Sequence, residues 1–157
     1  MAELFSDEWL QEFVTNANAG APESLKKAKT LDYWEIVDKM GQSFSAPMAM
    51  VLKADEAHGL MEPKYALLNF EQGKVTEAHL CSREEASAAP FILQTDVTGW
   101  KRCKEGSMDV TQAVMYRNFL LTKGDIDAFF RIIYFFVEWL RAGIQQTEMS
   151  FPSKAAA

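Results

Sequence analysis

Several things are scarce in this chain of 157 residues. It holds two cysteines, Cys81 and Cys103, and two histidines, His58 and His79. Two cysteines cannot make a disulfide framework; they form one bond or stay as two free thiols. Two solitary histidines, with no Cys-x-x-Cys or His-x-x-x-His spacing, cannot supply the three or four clustered ligands of a zinc site, and no metal or cofactor is expected. A basic excess is missing too. Sixteen Lys and Arg face 22 Asp and Glu, a net charge of −6 with pI near 5.0, which argues against the basic footprint of a nucleic-acid binder. No charged and apolar leader precedes a small-residue cleavage site, and there is no Asn-x-Ser/Thr acceptor. The expectation is a cytoplasmic protein in a reducing compartment. The nearest approach to a membrane span, Ile126 to Ile144, is interrupted by Asp127, Arg131, Glu138 and Arg141. A spanning helix needs about 18 or more apolar residues with few or no charges.

Catalytic signatures are equally scarce. There is no Gly-x-Gly-x-x-Gly or Walker-type phosphate loop and no Gly-x-Ser-x-Gly elbow. Asp125 and Asp127 form an Asp-x-Asp pair, but Asp125 reads better as a helix cap. One pairing stays open as an enzyme alternative. Cys81 stands at a strand-to-helix junction, where a helix N-terminus lowers a thiol pKa, and His79 lies two residues earlier, on the same face of a strand. The chain otherwise reads as a non-enzyme.

What is present is globular. Hydrophobic residues make up 48% and charged residues 24%, enough for one domain with a real core. Residues 1–150 read as a single domain and 151–157 as a flexible tail. Charge is lopsided: residues 1–80 carry 7 basic and 13 acidic groups, residues 81–157 carry 9 of each. The neutral C-terminal half is also the aromatic half, a composition compatible with transient membrane contact.

Ser6 followed by Asp7 and Glu8 predicts a helix start, with Trp9, Leu10, Phe13 and Val14 at helical spacing. A second helix spans about Pro22 to Ala28. Leu31 to Met40 is ambiguous between helix and strand. Strands are predicted at Met48–Ala54, Lys64–Phe70 and Lys74–Leu80, the last two as a hairpin around Glu71-Gln72-Gly73. Ser82-Arg83-Glu84-Glu85 is a capping box. Phe91–Thr95 is a compact strand, and Asp96 and Asp109 each cap a helix. Phe119–Thr122 is a last short strand; a further strand would come from Tyr33–Val37 or from dividing another segment. Asp125 then caps one long helix to about Arg141, with Gly143 as its stop. Hairpin-joined strands with helices outside them make this an α+β domain with a largely antiparallel sheet.

The chain has 11 phenylalanines and 8 methionines. Six of the phenylalanines fall between Phe119 and Phe151. The final helix carries Phe129, Phe130, Ile132, Ile133, Phe135, Phe136, Val137, Trp139 and Leu140, leaving a narrow polar stripe of Asp127, Arg131, Glu138 and Arg141. A helix packed on one sheet needs an apolar arc of only about 100° or somewhat more. The surplus fits either a central core helix or a helix with one arc on the sheet and another on a ligand cavity. Met48, Met50 and Met115 would add deformable lining or plain gap filling.

The stretch from Trp100 through Gly106-Ser107-Met108-Asp109-Val110-Thr111-Gln112-Ala113 to Phe119-Leu120-Leu121-Thr122-Lys123-Gly124-Asp125 resembles the C-terminal signature of the sterol carrier protein type 2 family. Ala54-Asp55-Glu56-Ala57-His58-Gly59-Leu60 and the hairpin at Gly73-Lys74 are similar as well, so the resemblance covers about residues 48–142. Val110 stands where proline is common, Arg117-Asn118 where Gly-Lys is usual, and residues 31–47 are longer than the family norm. The resemblance implies a twisted, mostly antiparallel five-stranded sheet covered by helices and enclosing an apolar tunnel. It implies non-catalytic binding and transfer of a lipid partner: fatty acid, acyl-CoA, phospholipid or sterol. The alternative is an accessory module that presents an apolar substrate to a partner enzyme. Candidate lining residues are Phe91, Leu93, Phe119 and Leu121 from strands, Met115 from the penultimate helix, and Phe129, Phe130, Ile133, Phe136 and Val137 from the last, some of them ordinary core. Arg117 and Lys123 are candidates for a charged head group. Oligomeric state is open.

Overall fold

A computed structural model describes residues 1–153; residues 154–157 of the expected tail lie outside the described residues. Two helices, α1 (Asp7–Ala19) and the short α2 (Glu23–Lys26), precede α3 (Leu31–Gln42). Strands β2 (Ala46–Leu52), β3 (Lys64–Glu71) and β4 (Lys74–Cys81) follow, then α4 (Arg83–Ser87), β5 (Phe91–Thr95), α5 (Val97–Glu105), α6 (Val110–Met115), β6 (Leu120–Lys123), α7 (Ile126–Arg131) and α8 (Ile133–Gln146). Two-residue strands β1 (Ala2–Glu3) and β7 (Met149–Ser150) pair in parallel and tie the two ends of the domain together. Beyond them Phe151 packs on the core and Pro152 is buried.

The main sheet has five strands in the order β4-β3-β2-β5-β6. All neighbours are antiparallel except β2 and β5, which run parallel because the chain crosses over through the β3–β4 hairpin and α4. Central β2 is buried on both faces. Met48, Met50 and Leu52 enter the main core, while Ala49 packs with Ala86 and Ala89 under α4. The alternation follows from the two-residue period of a strand.

Helix starts are set as the sequence predicts. Ser6, Ser82, Asp96, Asp109 and Asp125 each accept a bond from a first-turn N–H, meeting donors that a helix end leaves orphaned. Thr30 does the same for α3, which settles Leu31–Met40 as helix. Tyr33–Val37 is therefore not a strand, and β6 completes the sheet.

The single long helix expected from Ile126 is in fact two. Ile132 leaves helical geometry (φ −117°, ψ 14°), and its N–H bonds to Phe129 O, three residues back. The apolar pattern runs unbroken across this tightened turn, so sequence periodicity does not register it. Nor does Gly143 stop the helix. It lies inside α8, where a Cβ would fall 2.6 Å from the Phe13 ring. Its role is close approach of α1 and α8. Gly41 does the same for α3, with Phe135 at 2.7 Å.

The main core lies between the sheet and the layer of α1, α5 and α8. Trp9, Phe13 and Trp100 form a mutual aromatic cluster, with Trp9 and Trp100 edge to face at 5.5 Å. Among the described residues no helix is long and apolar enough to cross a membrane.

Candidate functional site

The last third of the chain delivers most of the predicted lining residues to one place. Leu93, Phe119, Phe129, Ile133, Phe136 and Val137 are all buried in the main core, and Phe91 and Leu121 are half-buried against it. Phe129 meets Phe136 at 5.5 Å between ring centres, Phe119 meets Trp100 at 5.1 Å, and Phe91 meets Phe44 at 5.7 Å. Met115 and Phe130 stand apart from this group, each half exposed to solvent. Leu120 and Ile126 are exposed beside them in the sequence, so α6, β6 and α7 in succession present apolar side chains outward.

The clefts that open at the surface are lined by other residues. One of about 500 Å³ lies beside Trp34, Glu138 and Arg141; another of about 540 Å³ lies beside Gly73, Lys74 and Phe135; a third of about 510 Å³ lies beside Tyr65, Arg83 and Ile92.

The two head-group candidates occupy different settings. Lys123 Nζ donates to Ser87 O at 2.9 Å. Arg117 is exposed in a tight turn with φ +65°, a left-handed conformation that favours glycine.

The Cys81–His79 pair does not form a nucleophile and base. Burial, and then the nearby Glu85 carboxylate, push the Cys81 thiol up from its ordinary value. His79 Nε2 bonds to Glu85 at 3.1 Å instead. Both cysteines are free thiols, and burial raises buried Cys103 to about 11. His58 Nδ1 bonds to Asp55 Oδ2 at 2.7 Å inside a turn. Among the described residues no group of three or more His, Cys, Asp or Glu is placed to hold a metal.

Sequence reasoning missed one polar centre. Glu138, one of the narrow polar stripe of the last helix, is buried on α8. Lys29 Nζ donates to it at 2.6 Å and Tyr33 OH at 2.8 Å, and Arg141 Nη1 completes the set. Arg141 Nη2 reaches Thr111 Oγ1 at 2.6 Å and Asp109 at 3.3 Å. The network ties the α2–α3 turn and α6 to α8. Burial pushes the Glu138 carboxyl up, but the bonds from Lys29 and Tyr33 and the Arg141 charge outweigh it and hold it below the ordinary carboxylate range. The available signal was a lone acid in the middle of an apolar helix, which must find partners if buried.

No protein-family model matches the sequence, and no curated protein does either. Structure is more informative. The chain superposes on the crystal structure of sterol carrier protein 2 with a TM-score of 0.69 at 20% identity, over 91% of this chain and 98% of that one. This chain has the sterol carrier protein 2 fold. The solution structure of a conserved hypothetical protein from Thermus thermophilus, described as a possible sterol carrier protein, gives a TM-score of 0.66 at 20% identity, covering 92% of this chain and 90% of that one.

Proposed function

We propose that this chain binds and carries an apolar lipid without chemical change, in a tunnel beneath α7 and α8. The observation that carries the reading is the join of a sterol carrier fold to a terminal helix layer whose Phe129, Phe135 and Phe136 are buried in the main core. Leu93, Phe119, Phe129, Ile133, Phe136 and Val137 are the proposed inner lining; Phe91, Leu121, Met115 and Phe130 belong to its rim. Non-directional burial suits such a surface, since each acyl methylene taken from water is worth about 0.8 kcal/mol. Exposed Met115, Leu120, Ile126 and Phe130 mark the proposed entrance and the side that touches a donor membrane. The raised Cys81 thiol supports a carrier over a hydrolase, and a cytoplasmic location fits two free thiols.

Native mass spectrometry of gently purified protein tests this. The expected result is a co-purified apolar adduct, or saturable uptake of added palmitate. Failure to bind fatty acid, acyl-CoA, phospholipid and sterol alike would remove the reading. A variant of it, presentation of the lipid to a partner enzyme, is supported by exposed Leu31 and Ile36 on α3. It predicts one dominant partner in pull-downs and weak lipid affinity.

A further inference from the structure

Three buried polar side-chain atoms have no hydrogen-bond partner among the described residues: Trp9 Nε1, Trp100 Nε1 and Thr95 Oγ1. The other two tryptophans are satisfied. Trp34 Nε1–H donates to Lys26 O at 3.0 Å and Trp139 Nε1–H to Asn18 Oδ1 at 3.2 Å. The unpartnered indoles are the two that pack edge to face in the core, 5.5 Å apart. Around them stand Phe5, Phe13 and Phe119, whose ring faces accept an N–H only weakly. A buried donor without an acceptor is costly, so each such atom in a folded core has a cause.

Their place in the fold supplies one. Thr95 follows Leu93 by two residues on β5 and shares its face. The two stand beside Leu52 and Met50, which enter the main core. A Cβ on Gly99, the residue before Trp100, would fall 2.7 Å from Thr95 Oγ1, so the hydroxyl rests against the first turn of α5. Trp100 meets Phe119 at 5.1 Å. Leu93 and Phe119 belong to the proposed lipid lining, and the orphaned atoms therefore adjoin it on the side of α1 and α5.

The missing partner has narrow chemistry. An indole N–H only donates and a hydroxyl donates as well as accepts, so the partner is an acceptor. Nothing there would balance a negative charge: among the described residues no Lys, Arg or His is buried, and an unpaired buried charge costs far more than an unpaired dipole.

We infer that the proposed lipid interior has a polar inner end, and that its ligand carries there a neutral acceptor oxygen, of an ester, ketone or alcohol, bonded by the Trp9 and Trp100 indole pair beside Thr95. The ligand then enters neutral end first, a consequence that rests on the lipid-carrier reading above.

Dodecane, methyl laurate and laurate share one chain length and differ at its end. Indole N–H resonances of the nitrogen-labelled full chain report on each. Methyl laurate is expected to move Trp9 and Trp100 downfield and leave Trp34 and Trp139 in place. Dodecane offers no acceptor, and laurate keeps its charge outside, so neither should move Trp9 or Trp100 downfield. Thr95→Val, which keeps the shape and removes the hydroxyl, should weaken methyl laurate about fivefold relative to dodecane. Equal shifts from dodecane and methyl laurate, a downfield shift with laurate, or an unchanged ratio in Thr95→Val would each overturn the inference. Resonances unmoved by a methyl laurate that binds would assign the orphaned atoms to buried water and overturn it too. If none of the three probes binds, the lipid reading itself falls, and this inference with it.

Discussion

Lys29 and Glu138 stand 109 residues apart in sequence and 2.6 Å apart in space. Their bond, shared with Tyr33, fastens the α2–α3 turn to a carboxylate buried in the terminal helix. α3 also meets α8 where the Tyr33 and Tyr134 rings lie 6.0 Å apart and where Gly41 lies against Phe135.

The carboxylate gives this fastening a pH dependence. Its folded-state value lies below the ordinary one, which is about 4.3 for a glutamate. The stabilisation is therefore fully present at neutral pH and is lost as pH falls through the carboxylate range to the depressed folded value. Asp109 adds to the same trend: burial raises it, but Arg141 and Thr111 hold it low overall. Thermal melts between about pH 6 and about pH 3 should show the unmodified chain losing stability faster than Glu138→Gln, so that the gap between them narrows with acid. Curves that stay parallel would count against the network.

Removing one donor isolates its share. Tyr33→Phe deletes only the hydroxyl that bonds Glu138 at 2.8 Å. A bond to a buried charged group is worth about 1–3 kcal/mol, so urea denaturation should register a loss of that size with an unchanged slope.

Gly143→Ala should destabilise by about 1–3 kcal/mol even though alanine favours a helix, because the new methyl must displace the Phe13 ring. Chemical denaturation measures it. A neutral or stabilising effect would show that α1 and α8 can part at no cost. Combining Gly143→Ala with Phe13→Leu should recover part of the loss.

Phe129 and Phe130 are neighbours with opposite roles. Phe129 is buried and Phe130 half exposed. Phe129→Ala should cost about 3–5 kcal/mol, the usual range for a core phenylalanine, while Phe130→Ala should stay within about 0.5 kcal/mol. Equal losses would move Phe130 into the core.

Arg117→Gly should raise stability by roughly 1 kcal/mol, since φ +65° costs an L-residue about 1–2 kcal/mol that glycine avoids. A fall in the unfolding midpoint would mean that the Arg117 side chain contributes more than its backbone costs.

Sequence alone determined where five of the helices begin, because a cap needs only a side-chain oxygen and an N–H two or three residues on. Ser6, Ser82, Asp96, Asp109 and Asp125 all act as their local pattern dictates. It also determined the β3–β4 hairpin and the apolar weight of the last helix, both functions of local periodicity. Tertiary structure decided the rest. The break at Ile132 is invisible to a pattern that stays apolar on both sides. Gly143 resembles a stop signal until Phe13 is placed beside it. Glu138 is only one member of a polar stripe until Lys29 and Tyr33 are placed beside it. In each case the deciding partner is remote along the chain or the competing geometries share one local pattern. Burial, which depends on what packs above a residue, is not a property of the segment that carries it.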